Sequence, residues 1–286
     1  MSINDADAAT NPRVWLITGA SSGFGRAIAT AALDGGDIVV ATARRPQALD
    51  DLIAAYPTRA QAIALDVTNM NATQVIDGVI ARHGRIDVLV NNAGRTQVGA
   101  LEETTEQELR YLFELHFFGP AALTKAVLPH MRHQGVGAVV QMSSVGGQIT
   151  AAGFGAYCAT KFALEGLTET LSHEVDFGVR FLIVEPGAFR TGLFAAGSAY
   201  LSAAMPPYAA TVGPTREYVT SGDGTQPGDP AKAAAAILTA LAAERPPLRL
   251  PLGDDAVDAI RAHLTAVGDE VASWEAVARA TSFDPD

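Results

Sequence analysis

Short apolar runs alternate with helix-length segments along most of this chain, and that alternation restricts the fold more than any other feature. A continuous apolar run of this length is typical of a strand buried on both faces, and the segments between are long enough for crossover helices. Strands that alternate with helices form right-handed crossovers and a parallel sheet. The runs lie at 14–17, 37–42, 60–65, 86–90, 137–142 and 179–184, with a last strand expected within 245–253.

We therefore predict an α/β fold: a single doubly wound, Rossmann-like domain over residues 1–286, with a parallel sheet flanked by helices on both faces. Residues 105–134 are expected to form two helical stretches hinged near Gly119 and Pro120, because proline interrupts a helix. Three further helical segments are expected at 156–175, at 230–243 and in a C-terminal tail at about 254–280.

The stretch 195–230 differs from the rest of the chain. It is rich in Ala, Gly, Pro, Tyr and Thr and shows no sustained period. A long irregular stretch inside a compact domain is typical of a functional lid or of a disordered segment. We predict a lid insertion at about 192–229. The aromatic residues of 194–218 indicate an apolar inner face, which favours a hydrophobic or aryl carbonyl substrate.

Charge and cysteine content exclude several classes of function. The chain carries 20 Lys and Arg against 31 Asp and Glu, a net charge of −11, which is the wrong sign for holding nucleic acid or an anionic membrane. The single cysteine, Cys158, excludes internal disulfides and Cys-rich metal clusters, and no metal site is expected. Residues 1–13 lack the basic and apolar regions of a signal peptide, so we expect a cytoplasmic protein.

A glycine-rich turn follows the first strand and precedes the first helix. Glycines there let the backbone turn tightly and approach a pyrophosphate, which the free N–H groups of the helix start stabilise. A turn with only a packing role is the alternative, but the context of strand, turn and helix favours a dinucleotide. The predicted contacts are Gly19, Ser21, Ser22, Gly23, Phe24 and Gly25.

Arg44 and Arg45 follow the second strand, where an acidic side chain commonly meets a free ribose 2′-hydroxyl. Arginine there suits a 2′-phosphate instead, because a guanidinium can bond two phosphate oxygens, so the pair favours NADP over NAD. The alternative is two arginines that only solubilise a surface loop. We expect NADP(H) to be the cofactor.

Two further strand ends offer cofactor contacts. Asp66, with Val67, follows the third strand and can accept a hydrogen bond from an adenine amino group, or instead cap a helix that begins near Thr68. Asn92, Ala93 and Gly94 follow the fourth strand. They can shape the floor under the adenine ribose, although Asn and Gly are equally consistent with a plain turn.

Tyr157 and Lys161 are four residues apart on the long predicted helix and so share one face. A neighbouring ammonium stabilises a phenolate, so Lys161 is expected to lower the pKa of Tyr157 from its ordinary value near ~10. Ser144, at the end of the fifth strand, can polarise a carbonyl oxygen beside the tyrosine. Taken alone, such a pair is more often an ordinary contact on a helix surface. The preceding glycine turn and the two serines at the strand end favour a catalytic role.

These motifs together resemble the short-chain dehydrogenase/reductase family over roughly residues 13–191. The resemblance rests on Thr18-Gly19-x-x-x-Gly23-x-Gly25, Asn91-Asn92-Ala93-Gly94, Ser144, Tyr157-x-x-x-Lys161 and Pro186-Gly187-x-x-x-Thr191. It implies that Tyr157 is the general acid/base, that Ser144 binds the substrate oxygen, and that Lys161 tunes the tyrosine and holds the nicotinamide ribose. The nicotinamide end is expected to meet Pro186, Gly187, Phe189 and Thr191.

The neighbourhood of Arg44 resembles NADP-preferring members, particularly those like 17β-hydroxysteroid dehydrogenases; a steroid substrate does not follow from this. Gln148, Phe154 and Leu193, together with Phe189, flank the catalytic positions and are expected to line the substrate pocket. Core packing accounts equally well for Phe154 and Phe189. The resemblance also implies a homodimer or homotetramer that pairs through the tyrosine-bearing helix and its predecessor.

His116 departs from the family pattern, which has asparagine at this position. In the family that asparagine holds a water that links the lysine to solvent. His116 is expected to hold a similar water through a ring nitrogen, or to exchange protons itself near neutral pH. The alternative is a substitution that perturbs the helix and weakens catalysis.

The sequence thus predicts an NADPH-dependent carbonyl reductase or, in reverse, an alcohol dehydrogenase. Two alternatives remain. One is an enzyme that uses the same cofactor for epimerisation or for reducing an activated double bond. The other is a protein that binds NADPH as a sensor without turnover, silenced by His116.

Overall fold

The computed structural model describes residues 12–195 and 197–283. Most of the N-terminal segment that lacks signal-peptide features lies outside the described residues. The strands are β1 Val14–Ile17, β2 Ile38–Ala43, β3 Ala60–Ala64, β4 Val88–Asn91, β5 Gln97–Val98, β6 Gly137–Met142, β7 Val179–Pro186, β8 Tyr200–Leu201 and β9 Arg249–Leu252. The α-helices are α1 Gly23–Asp34, α2 Asp50–Ala55, α3 Ala72–His83, α4 Glu106–Phe113, α5 Gly119–Gln134, α6 Gly155–Glu174, α7 Ala209–Ser221, α8 Pro230–Ala242 and α9 Asp254–Arg279.

Seven strands form one parallel sheet in the order β3-β2-β1-β4-β6-β7-β9. The chain builds outward from β1 in one direction to β3, then returns and builds in the other direction from β4. The carboxyl ends of β1 and β4 therefore border the crevice where open α/β sheets bind ligands. The predicted fold class is confirmed.

Alternate side chains of the sheet enter two hydrophobic cores, one on each face. Trp15 and Ile17 of β1 pack on the side that α1 and α8 cover. Leu16, between them in the sequence, packs on the side covered by α3 and α5. This alternation follows from the two-residue period of a strand, and it holds the crevice between two rigid layers.

The predicted hinge near Gly119 and Pro120 is wrong. The chain stays helical from α4 into α5 through one π-helical turn, Glu114–Phe118, in which the Gly119 N–H donates to the carbonyl of Glu114. Pro120 follows this wide turn at the start of α5, where a missing N–H is tolerated. A Cβ on Gly119 would lie 2.7 Å from the Val67 carbonyl oxygen. Glycine therefore lets the start of α5 pack closely against the loop that follows β3.

The prediction that 192–229 is irregular is wrong for much of that stretch, which we call the lid segment. It contains the 13-residue helix α7, and β8 pairs with β5 in a two-stranded sheet. Glu103 holds this region to the body: its Oε1 accepts from the Met205 N–H at 2.7 Å and its Oε2 lies 2.6 Å from Arg216 Nη2. We call this contact the lid latch.

The C-terminal helix α9 leaves the domain after its first two turns. Ala256 and Ile260 are buried, whereas every described residue from 261 to 283 is exposed. Within the described part of the chain, none of the helices combines the length and the apolar character that a membrane crossing needs.

Candidate active site

A cleft of about 590 Å³ opens at the carboxyl ends of the central strands. The residues that follow β3, β2, β1, β4, β6 and β7 line it, in the order in which those strands lie in the sheet. The structure brings most of the predicted site residues to this cleft. They are Gly19, Ser21, Ser22, Gly23, Phe24, Arg44, Arg45, Asp66, Val67, Asn92, Ala93, Gly94, His116, Ser144, Tyr157, Lys161, Pro186, Gly187, Thr191 and Leu193.

The glycine turn needs glycine for steric reasons. Gly19 and Gly23 have φ values of +64° and +55°, in the left-handed region that L side chains rarely adopt. The Asn92 amide donates to the carbonyls of Thr18 at 2.8 Å and Gly19 at 3.1 Å, which clamps the turn. Gly25 does not line the cleft, but a Cβ there would lie 2.4 Å from Asn92 Nδ2. The first N–H groups of α1 thereby face the cleft without intrahelical partners.

Arg44 and Arg45 are exposed at the cleft wall after β2. Over residues 12–195 and 197–283, neither side chain forms a hydrogen bond or an ion pair. Asp66 Oδ1 accepts from the N–H and the hydroxyl of Thr68 at 3.0 and 2.7 Å. The alternative that Asp66 caps a helix is wrong, because α3 begins at Ala72 and Asn71 caps it.

Tyr157, Lys161 and Ser144 meet where α6 passes the end of β6. Lys161 Nζ lies 5.7 Å from the centre of the Tyr157 ring and donates to the Met142 carbonyl at 2.7 Å. Ser144 Oγ accepts from the Gly146 N–H at 3.1 Å, which orients the hydroxyl beside the tyrosine. The side chains therefore form one cluster on rigid elements.

Burial dominates the ionisation of this cluster. It raises the pKa of Tyr157 to about 12, although the neighbouring Ser144 hydroxyl opposes the shift. Burial also lowers the pKa of Lys161 to about 8, opposed by the charge of Glu165. The expectation that the pKa of Tyr157 falls below its ordinary value is thus wrong for this arrangement, because burial outweighs the neighbouring ammonium. Tyr157 carries its proton at neutral pH.

His116 is buried on the π-helical turn, and both of its ring nitrogens are bonded. Nε2 accepts from the Arg95 N–H at 3.2 Å, and Nδ1 lies 2.9 Å from the Thr160 hydroxyl. That hydroxyl donates its only hydrogen to the Tyr157 carbonyl at 2.7 Å, so it accepts from His116, which fixes the proton on Nδ1. The ring packs edge-on against the ring of Tyr157, with centroids 5.5 Å apart.

The two roles expected of His116 are therefore wrong. Neither nitrogen is left to hold a water, and burial, together with the charges of Lys161 and Arg95, holds the pKa of His116 well below its ordinary 6.5. His116 stays neutral and joins the loop after β4 to α6. It is a positioning residue for Tyr157.

Besides Gly25, three predicted pocket or cofactor residues lie outside the cleft. The amide of Gln148 donates to the buried carboxylate of Glu165, which turns the side chain away from the cleft. Phe154 packs with Val98 and Val212 under the lid. Phe189 packs its ring on Phe24, with centroids 5.1 Å apart, and joins the core.

A buried ionic cluster behind Lys161 was not predicted. Glu165 and Glu185 are buried together, and Arg249 Nε lies 3.2 Å from Glu165 Oε2 and 3.4 Å from Glu185 Oε1. The Ser143 hydroxyl donates to Glu165 at 2.5 Å. Burial and the charge of Glu165 raise the pKa of Glu185. The position of Glu165, four residues after Lys161, is the only sequence signal that pointed to it.

Arg95 was also missed. It lines the cleft, and its guanidinium lies 4.8 Å from the ring centre of Tyr200, in the lid. Its position directly after Gly94 was the available signal. The contact is a cation–π interaction that joins the loop after β4 to the lid.

The short chain dehydrogenase family model matches residues 13–200. Among curated proteins, the chain is 41% identical over 251 residues to oxidoreductase BOA17 of Botryotinia fuckeliana, covering 86% of this chain and 90% of that one. It is 40% identical over 183 residues to 3-ketodihydrosphingosine reductase of Bacteroides thetaiotaomicron, covering 63% and 65%.

Solved structures show the same likeness. A short-chain dehydrogenase from Streptomyces avermitilis superposes with a TM-score of 0.90 at 62% identity, covering 96% of this chain and 100% of that one. An alcohol dehydrogenase from Thermococcus sibiricus complexed with 5-hydroxy-NADP gives 0.70 at 26% identity, covering 85% and 96%. A Burkholderia phymatum short chain dehydrogenase/reductase in complex with NAD gives 0.76 at 25% identity, covering 88% and 92%.

Proposed function

Because this chain belongs to the short-chain dehydrogenase family, we propose that it is a carbonyl reductase, or in reverse an alcohol dehydrogenase, that transfers a hydride between NADP(H) and its substrate. The observation that carries the proposal is the composition of the cleft. The same cleft has the glycine turn and two arginines on the β1 and β2 side and Tyr157, Ser144 and Lys161 on the β6 side. The neighbouring structures that hold NADP or NAD support a nicotinamide cofactor.

The residues present fit a dinucleotide. From β2 to β6 the sheet covers three strand spacings, about 14 Å, since neighbouring strands lie about 4.8 Å apart. The start of α1 has no acidic residue in its first turn, which leaves its N–H groups to a pyrophosphate. We assign the adenine side to Asp66 and Val67 and the nicotinamide side to Lys161, Thr191 and the turn Pro186-Gly187.

The preference for NADP rests on Arg44 and Arg45. Two exposed guanidinium groups at the cleft wall, with no ion pair to the described part of the chain, suit a 2′-phosphate. This feature also supports likeness to the NADP-preferring, 17β-hydroxysteroid-dehydrogenase-like members.

When bound, the nicotinamide ring supplies or accepts the hydride. In reduction, Tyr157 gives its phenolic proton to the substrate oxygen, and the raised pKa keeps that proton in place until the oxygen becomes basic. The Ser144 hydroxyl orients the oxygen. The Lys161 ammonium, 5.7 Å from the ring centre, stabilises the phenolate that remains.

The geometry at His116 favours the enzyme over the sensor alternative. That alternative treated His116 as the substitution that silenced the enzyme, yet both ring nitrogens are bonded and the ring supports Tyr157. We propose a hydrophobic or aryl carbonyl as substrate, because Leu115, Met142 and Leu193 line the cleft. The name of the 3-ketodihydrosphingosine reductase relative adds long-chain ketones to the candidates.

The test is NADPH consumption, with NADH in parallel, against aryl ketones, aliphatic aldehydes, steroid ketones, quinones and a long-chain 3-keto amine. Tyr157→Phe should lower kcat roughly 10²- to 10⁴-fold while NADPH binding, followed by fluorescence, is retained. Tyr56→Phe, outside the cleft, is the matched control. NADPH binding without turnover on the whole panel would contradict the proposal, as would full activity of Tyr157→Phe.

Cofactor preference has its own test. Arg44→Ala should raise the KM for NADPH roughly tenfold or more and leave that for NADH unchanged, because a charge-assisted hydrogen bond contributes about 1.5–3 kcal/mol. Arg82→Ala, an exposed arginine at the end of α3, is the control. Equal effects on both cofactors would show that Arg44 does not read the 2′-phosphate.

A further inference from the structure

We infer that the free part of α9 pairs with α9 of a second copy of this chain, antiparallel, as a short two-stranded coiled coil. This inference is independent of the proposed catalytic function. Beyond Ile260 the helix continues for 19 residues to Arg279, about 28 Å at 1.5 Å per residue, without burying any of them. An isolated helix of this length is marginal in water, so a partner is needed to hold it.

One face of this free segment is apolar. Leu264, Val267, Val271 and Trp274 are exposed by 58, 41, 66 and 64%, and they repeat at intervals of three and four residues. That spacing defines the a and d positions of a coiled coil, and Ala278 continues it. We call these residues the α9 stripe. The stripe also continues the face on which Ala256 and Ile260 are buried against the domain. The same face of the helix is therefore covered by the domain up to Ile260 and exposed to solvent beyond it.

An antiparallel partner matches the stripe with itself. In such a pair a positions face d positions, so Leu264 lies opposite Trp274 and Val267 opposite Val271, and each contact occurs twice about a two-fold axis. The large Trp274 side chain faces the smaller Leu264, and Val267 faces Val271, so the side chains fill the space between the two helices evenly.

The charges beside the stripe select the same direction. Arg261 and Glu275 occupy equivalent flanking positions near the two ends of the stripe, so an antiparallel pair brings Arg261 of each copy to Glu275 of the other. A parallel pair would instead place Glu270 of one copy beside Glu275 of the other, twice. The antiparallel pair has one like-charge contact, between the two Glu270 residues, against two attractive ones.

This surface differs from the one that the family resemblance implies, which uses α6 and its predecessor. Two distinct two-fold contacts on one chain build a closed tetramer when their axes cross at right angles, whereas the α9 contact alone gives a dimer. Each α9 would span from its own domain to the base of the partner's α9.

The test is the mass of the full chain in solution, measured by light scattering and sedimentation equilibrium over a range of concentrations. Val271→Glu should halve the mass of the assembly, while Ser273→Glu, on the opposite face of the helix, should leave it unchanged. The catalytic cleft serves as a folding check, since NADPH binding should be equal in both variants. A monomeric wild type, or equal effects of the two variants, would overturn the inference.

A charge exchange tests the direction. Arg261→Glu and Glu275→Arg should each weaken association about tenfold, and the double variant should restore it. Glu275 also pairs with Arg279 in its own helix at 2.7 Å, so Arg279→Ala measures the loss of that contact alone. If the double variant is weaker than either single variant, the antiparallel arrangement is wrong.

Discussion

Replacing Thr160 by valine tests the hydrogen-bond assignment that makes His116 a positioning residue. Valine keeps the shape of threonine but has no hydroxyl. The His116 Nδ1–H, 2.9 Å from that hydroxyl, then stays buried without an acceptor, and the Tyr157 carbonyl loses its bond at 2.7 Å. The first loss costs about 1–3 kcal/mol and the second about 0.5–1.5 kcal/mol, so the free energy of unfolding should fall by about 1.5–4.5 kcal/mol.

Thr160→Ser is the matched control, because serine keeps the hydroxyl and loses only one methyl group, worth about 1 kcal/mol. Urea unfolding followed by circular dichroism measures both variants, with the m-value as the check on two-state behaviour. The valine variant should also lower kcat without changing NADPH affinity, since His116 supports the Tyr157 ring and lies away from the glycine turn.

Comparing the stability losses of Thr160→Val and Thr160→Ser distinguishes hydrogen bonding from packing at this position. If packing rather than hydrogen bonding matters at residue 160, serine will cost as much as valine or more. That result would refute the assigned proton on Nδ1. It would also reopen the possibility that His116 exchanges protons with the active site.

Three other changes have defined outcomes. Gly25→Ala places a Cβ 2.4 Å from the amide nitrogen that clamps the glycine turn and should raise the Kd for NADPH at least tenfold in calorimetry, whereas Gly78→Ala, where a Cβ meets nothing within 4 Å, should not. The raised pKa of Glu185 means that the folded state binds its proton more tightly than the unfolded chain, so wild-type stability should fall as pH rises above about 5. Glu185→Gln should reduce this pH dependence of stability in urea unfolding; an unchanged pH dependence would show that another titratable group causes it. Glu103→Gln should release the lid latch and speed limited proteolysis within 192–229, and an unchanged cleavage rate would show that α7 is held by other contacts.

The central strands of the large sheet were predictable because a buried parallel strand is apolar on both faces and appears as a continuous run, whereas the two-residue strands β5 and β8 were not. Helix α7 was not predictable in this way. It buries only Val212 and Val219 and contains Gly213 and Pro214, so its sequence has little helical period. The lid latch joins Arg216 to Glu103, 113 residues away in the sequence, and no local pattern records such a contact.

In the site, too, features set by local spacing were predictable and features set by distant contacts were not. Tyr157 and Lys161 could be identified because their spacing on one helix is local. The direction of the Tyr157 pKa shift could not be predicted, because it depends on burial by surrounding elements. This burial outweighs the charge of the neighbouring Lys161. His116 was misread for a related reason: its partners, Arg95 and Thr160, lie 21 and 44 residues away.

The segment from Asn91, at the end of β4, to Arg95 links several elements around the cleft. Asn91 binds Thr124 of α5 and Gln141 of β6, and the next residue clamps the glycine turn. The Arg95 N–H then holds His116, and through it α6. In the resembling family an asparagine stands where His116 lies. Here a neutral ring with both nitrogens bonded joins the tyrosine-bearing helix to the same segment.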